Sequence, residues 1–364
     1  MTGLWLPLAA TATLVSVRNR HRPSEQNMIS TTALGTTGPT VSRLGLGAMG
    51  MSGMYGRTDD AESTATIHAA LDAGIDLVDT GDFYGSGHNE SLIGKALAGR
   101  RREDVTLSVK FGGLRGPGGT WAGVDTRPES IRNFLAYSLQ RLGVDYIDIY
   151  RPARLDPDVP IEDSVGTIGE LVEAGYVRHI GLSEVGPETL RRAAAVHPIV
   201  DLQIEYSLVS RGIEAEILPL CRELGIGVTA YGVLSRGLLS DSLRTDQTLA
   251  ADDFRAHSPR FQGDNLRQNL TLVDSLADVA AQHGVSVAQL AIAWVLAQGD
   301  DIVPVVGART VARLEEALGA LDVHLGAGDL AAIAAAVPDT AVAGDRYAPA
   351  QMAQLDSERA GVGR

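Results

Sequence analysis

An aspartate, a tyrosine and a lysine at the ends of short apolar runs have the clearest chemical use in this chain. Asp79 closes Ile75-Asp76-Leu77-Val78-Asp79, Tyr84 follows in the next loop, and Lys110 closes Val105-Thr106-Leu107-Ser108-Val109-Lys110. Burying a lone ammonium is costly, so a lysine ending an apolar strand implies a partner. At the ends of neighbouring strands, a carboxylate, a phenol and an ammonium form a proton-donating group. In that arrangement Lys110 lowers the pKa of Tyr84, and Asp79 holds Lys110 charged and oriented. Taken singly, Asp79 reads as a loop cap, Tyr84 as a wall residue and Lys110 as a surface lysine. Only joint placement gives them a shared role.

Elements able to position them recur along the chain. Strand-like runs at 43–46, 75–79, 105–110, 146–150, 177–183, 200–204, 227–231 and 302–306 alternate with helical patterns at 60–73, 90–97, 128–142, 161–175, 187–196, 213–224 and 287–297. Thr126-Arg127-Pro128-Glu129 is a good helix opening. Ahead of these, residues 32–46 place a Gly-Pro turn between apolar stretches and read as a hairpin entering a strand. Eight βα alternations over roughly 280 residues predict an α/β fold, a closed (β/α)8 barrel with an N-terminal β-hairpin. An open doubly wound sheet is the competing arrangement. In a barrel the chemistry belongs at the carboxyl ends of strands, where Asp79 and Lys110 fall.

Composition narrows the class. With 45% apolar and 21% charged residues the chain is ordinarily globular. A net charge of −14 without a long basic cluster argues against nucleic acid. Cys221 is the sole cysteine, which excludes a disulfide framework and fits a reducing, cytoplasmic setting. Residues 1–27 read as an N-terminal extension outside the fold. Their apolar run at 4–17 has no preceding cations, is followed by basic residues at 18–22, and is too short to span a bilayer. This leaves a barrel over 28–340 and a tail over 341–364 without strong pattern. Nothing in the sequence specifies an oligomeric state.

Two motifs are discounted. Gly45-Leu46-Gly47-Ala48-Met49-Gly50 matches a dinucleotide glycine pattern, but that pattern needs a helix to open on it, and here the helix begins near Asp59. Asp79-Thr80-Gly81 is an aspartic-protease tripeptide without the second copy that the mechanism requires. His68, His179, His197, His257, His283 and His324 lack ligand spacing, so no metal site is predicted. Trp121 and Trp294 read as packing residues. The glycine-rich loop 112–123 and residues 254–265 are candidates for a substrate rim.

Asp79-Thr80-Gly81-Asp82-Phe83-Tyr84-Gly85 with Asn89-Glu90, then Lys110, Gly181-Leu182-Ser183, Gln203-Ile204-Glu205-Tyr206-Ser207-Leu208 and Tyr231-Gly232-Val233-Leu234-Ser235-Arg236-Gly237, resembles the aldo-keto reductases in order and over nearly the whole chain. Residues 150–157 are similar to the pyridoxal-reductase-like bacterial and fungal branch. The resemblance implies a TIM barrel and NADPH-dependent reduction of a small-molecule carbonyl, with Tyr84 as general acid and Lys110 and Asp79 tuning it. It assigns Ser183 and Gln203 to the nicotinamide carboxamide, with Gly47 and Tyr231 alongside and Tyr206 as a stacking candidate. Gly232, Leu234, Arg236 and Gly237 fall to the pyrophosphate, and Gly307, Arg309, Arg313 and Glu316 to the adenosine end. Arg309 and Arg313, taken as one helical turn apart, would grip a 2′-phosphate and favour NADPH over NADH.

The chain departs from the family pattern at three positions. Ala153 stands for a histidine, with His88 a candidate substitute; Glu184 and Ala317 each stand for an asparagine. Two other readings stay open. One is an NADPH-binding sensor or regulatory subunit with little turnover, favoured by Ala153. The other is an open-sheet dehydrogenase using the glycines near Gly45. No loop carries a readable substrate code, so pyridoxal, small or aromatic aldehydes, and sugar or polyketide ketones all remain.

Overall fold

The computed structural model describes residues 29–358 except 57, 241, 242, 244–248 and 250–252. The extension predicted over 1–27 and the end of the chain beyond 358 lie outside the described residues. Twelve strands are present among them: β1 (Thr31–Ala33), β2 (Thr40–Ser42), β3 (Gly45–Gly47), β4 (Leu77–Gly81), β5 (Thr106–Phe111), β6 (Gly113–Arg115), β7 (Trp121–Val124), β8 (Ile147–Pro152), β9 (Val177–Ser183), β10 (Ile199–Glu205), β11 (Gly227–Tyr231) and β12 (Ile302–Val306). Strands β3, β4, β5, β8, β9, β10, β11 and β12 close into one barrel, and every pair around it is parallel. The predicted barrel is the observed one. Its strands are almost wholly buried, as parallel strands covered by helices must be.

The helices between strands are α1 (Asp60–Asp72), α2 (His88–Leu97), α3 (Pro128–Leu142), α4 (Ile161–Glu173), α5 (Pro187–Val196), α6 (Ile217–Leu224), α7 (Gly263–His283) and α8 (Val287–Leu296), and after the last strand come α9 (Val311–Leu318), α10 (Ala327–Ala336) and a short α11 (Pro349–Met352). Local chemistry sets their ends. Asp59 accepts from the Glu62 amide to cap α1, and Pro128 opens α3, which Gly143 stops at φ 67°. A Ser286–Gln289 capping box starts α8.

The β1–β2 hairpin closes the amino end of the barrel. Leu34 and Val41 pack with the inward Leu77, Ile149, Val200, Val303 and Val305. Gly35 (φ +68°) lets the turn approach β10, since a Cβ there would lie 2.4 Å from the Val200 carbonyl. The glycine pattern near Gly45 runs from β3 into a short 3-10 turn (Met49–Ser52), with the first α-helix starting only at Asp60.

Three elements exceed the sequence expectation. The loop 112–123 is a β6–β7 hairpin, and residues 263–283 form the long α7. Only Asn269, Leu276, Val279 and Ala280 of α7 are buried, so its apolar stripe is thin and its periodicity weak. The segment after Asp339, predicted to be a patternless tail, is folded against the barrel as far as 358 through hydrogen bonds at Asn269, Glu184 and Gly186. Among the described residues no single helix is long and apolar enough to cross a membrane. Nor do three or more His, Cys, Asp or Glu gather there to hold a metal ion.

Candidate active site

Alternation along the strands carries alternate side chains into the barrel. In β4 that parity places Asp79 inward; in β5, Ser108 and Lys110; in β10, Asp201, Gln203 and Glu205. Strand register then makes Asp79 the neighbour of Ser108, and Lys110 the neighbour of Arg151. The Lys110 ammonium lies 2.5 Å from one Asp79 oxygen. The other oxygen accepts from Ser108 Oγ at 2.7 Å and from Gln203 Nε2 at 2.8 Å. Both members of the pair are buried. Burial pushes the Asp79 carboxyl up, but Lys110, then Arg151 and the hydrogen bonds, pull it below its ordinary value.

Tyr84 sits just past β4, with Lys110 Nζ 5.2 Å from its ring centroid. Phe83 packs edge-on against it at 4.8 Å. Its hydroxyl has no hydrogen-bond partner among the described residues. The phenol lies well above its ordinary pKa because it is buried and faces the Asp79 charge; Arg154 pulls in the other direction. This corrects the expectation that Lys110 lowers it. Lys110 is neutralised by a carboxylate in direct contact, so the pair presents little net positive charge to the phenol.

A second ion pair lies deeper, where Arg151 meets Asp201 at 3.0 Å with Thr229 bonded to both. Neither Arg151 nor Asp201 has any side-chain exposure. Sequence reading passed over Ser108, Arg151 and Asp201. Their signal was a polar residue at inward parity inside an apolar run.

Most of the remaining predicted residues are distributed around the same mouth. Ser183 ends β9 with its buried hydroxyl unpartnered. Gln203 is there too, but its amide nitrogen is committed to Asp79. Gly47 pairs in register with Asp79. Tyr231 donates to Glu184 at 2.7 Å and meets Tyr347 at 2.9 Å. Tyr206 does not reach the mouth: it packs on Trp294 at 5.2 Å with its hydroxyl on Glu214, which removes it as a stacking group.

In the turn after β11, Gly232 (φ +66°) and Gly237 (φ +92°) flank Ser235 and Arg236, two non-glycine residues held at φ 44° and 56°. Ser235, Gly237, Leu238 and Leu239 give their amides to carbonyls within the turn, including that of Leu234. Arg236 pairs with Glu205 at 2.8 Å. Arg309 precedes the α9 N-cap Thr310, so it does not share a helical face with Arg313. Arg313 instead pairs with Glu316 at 2.8 Å, while Gly307 and Arg309 are exposed just past β12. His88 is occupied by Ser52 and Asp60 and does not replace a histidine at Ala153.

Glu184, at φ 54°, has an unforeseen role. It binds Arg346 at 2.6 Å and accepts from Ser357 and Tyr231, while Arg346 also reaches Glu205 and Glu358. The tail is thereby tied into the mouth of the barrel. Arg346 lies 162 residues on from Glu184 and 141 from Glu205, so sequence alone gave no sign of the contact.

The Aldo/keto reductase family profile matches residues 43–338. A probable aldo-keto reductase 1 of Glycine max is 43% identical over 323 residues, 88% of this chain and 93% of that one. A glycerol dehydrogenase of Gluconobacter oxydans superposes with a TM-score of 0.77 at 32% identity, covering 85% of this chain and 96% of that one. An aldo-keto reductase of Bacillus halodurans, in its holo form, gives 0.71 at 29% identity over 85% and 97%. By fold, profile and relatives together, the chain belongs to the aldo/keto reductase family of nicotinamide-dependent oxidoreductases.

Proposed function

We propose that this protein binds NADPH and reduces an aldehyde or ketone to an alcohol, with Tyr84 as proton donor. The observation that carries this reading is the buried Asp79–Lys110 pair beside a phenol whose hydroxyl is uncommitted. The unpartnered buried hydroxyl of Ser183 suits a carboxamide and supports a nicotinamide there. Exposed Arg309, which has no carboxylate at ion-pair distance among the described residues, beside the N-terminus of α9 suits a 2′-phosphate and supports NADPH over NADH. The cofactor, when bound, supplies the hydride.

The chain's own residues do the rest. Tyr84, a phenol with an ordinary pKa near 10 that burial raises further, is protonated at neutral pH, as an acid must be before reaction. As the proton leaves for the carbonyl oxygen, a phenolate forms beside the Lys110 ammonium, and Asp79 holds that ammonium in place. The barrel mouth excludes water around the pair, which strengthens each of these interactions. The single, buried and unpaired Cys221 supports a reducing, cytoplasmic setting.

The test is NADPH titration by fluorescence, then oxidation of bound NADPH by a panel of aldehydes that includes pyridoxal. Tyr84→Phe should keep NADPH affinity and lose about 100- to 10,000-fold in turnover. Strong residual reduction by that variant would overturn the role of Tyr84. Tight NADPH binding without turnover would point to the sensor reading that Ala153 favours.

A further inference from the structure

We propose that Arg115 and Arg154 form an anion-binding pair at the barrel mouth, and that the preferred carbonyl substrate carries a carboxylate. This rests on the reductase reading above. Among the described residues only Arg115, Arg154, Arg178 and Arg309 lack a carboxylate at ion-pair distance, every other arginine having one. In a chain of net charge −14, such guanidiniums lack the contact ion pair that the others have, although the Glu184 charge reaches Arg154 from a distance. Arg178 lies at the amino end of β9 and stacks on Tyr146 at 4.2 Å, away from the mouth. Arg309 is accounted for by the cofactor phosphate.

The other two lie past the carboxyl ends of neighbouring strands β5 and β8, and both are half-buried. Arg115 donates only to the Phe83 and Gly119 carbonyls and the Met54 sulfur, and it lies 5.9 Å from the Phe83 and Trp121 rings. Arg154 donates one hydrogen bond, at 2.6 Å, to the carbonyl of Ala153, which leaves most of its fork open. Each interacts electrostatically with the Tyr84 phenol. A guanidinium fork matches a carboxylate bidentately, which a neutral aldehyde cannot exploit. Phe83 and Trp121, edge to face at 5.8 Å, add an apolar wall for the carbon skeleton.

The experiment compares kcat/KM with NADPH for a formylbenzoate and for its methyl ester. The wild-type protein should prefer the acid by about tenfold or more, mostly through KM. Arg154→Gln and Arg115→Gln should each pull that ratio toward one, and Arg154→Lys should retain part of it. Arg178→Gln should leave the ratio as in the wild type. A wild-type ratio near one, or an unchanged ratio in both glutamine variants, would overturn the proposal while leaving the reductase reading intact. Equal losses on acid and ester in Arg154→Gln would do the same and make Arg154 a carbonyl-orienting group.

If no aldehyde is reduced, the reductase reading fails separately. Benzoate binding, followed by tryptophan fluorescence, then decides the anion site: about tenfold weaker binding by Arg154→Gln upholds it, and equal affinity rejects it.

Discussion

Replacing Lys110 by methionine tests the electrostatic core of the site without reference to turnover. Asp79 and Lys110 have side-chain exposures of only 7% and 6%, so the variant strands a carboxylate out of water. Removing one partner of a buried pair typically costs about 3–5 kcal/mol. Ser108, Gln203 and the more distant Arg151 still support Asp79, so about 3 kcal/mol is expected at pH 8. In the native protein the Asp79 carboxyl is lowered, so its contribution is present above the unfolded-state value and is lost on acidification. In the variant burial dominates and raises that carboxyl above its unfolded value, so stability returns as pH falls. The two stability curves therefore converge toward acid, with the penalty shrinking to about half by pH 5. Urea denaturation followed by far-UV circular dichroism at both pH values measures this, provided the denaturant slopes agree. Adding Asp79→Asn to the variant should recover part of the loss at pH 8. A penalty equal at both pH values, or below about 1 kcal/mol at pH 8, would refute the account of the pair.

Three further outcomes are expected. Arg309→Ala should weaken NADPH about tenfold while changing NADH little, as read by fluorescence titration; equal losses would show that the 2′-phosphate is not read there. Asp82 has one buried oxygen without a partner, and burial and then Glu90 push its carboxyl up to about 7. Its raised value costs stability that develops as pH climbs from the ordinary carboxylate range to neutrality. Asp82→Asn should therefore stabilise by about 2–4 kcal/mol at pH 8 and by little near pH 4, and a pH-independent effect in thermal melts would contradict this. Arg346→Ala leaves Glu184 and Glu205 buried with less compensation, and should cost about 3–5 kcal/mol in urea and expose the chain after Asp339 to proteolysis; unchanged cleavage would mean that the tie does not hold the tail.

Where periodicity and turn chemistry are local, the sequence was legible. The strand runs ending at Asp79, Lys110 and Ser183 fall within a residue or two of β4, β5 and β9, because apolar β-branched runs bounded by caps specify their own extent. Helix α3, with proline at its start and glycine past its end, runs over the predicted span. The β6–β7 hairpin escaped because glycine-rich strands pair without an alternating pattern, and α7 because few of its residues are buried. Arg309 and Arg313 were misjudged through a helix boundary: Thr310 caps α9 between them.

The order of elements, the barrel they imply and the residue types at its mouth were thus determined by the sequence alone, since each depends on neighbours a few positions away. Only the tertiary structure decided how those residues are partnered. It joined Lys110 to Asp79 across adjacent strands and set Arg151 on Asp201 inside the barrel. It sent Tyr206 outward to Trp294 and brought Arg346 back from the tail to Glu184. Those choices rest on strand register and chain return, which bring together groups far apart in sequence, and on the cost of burying a charge, which then requires each one to find its partner.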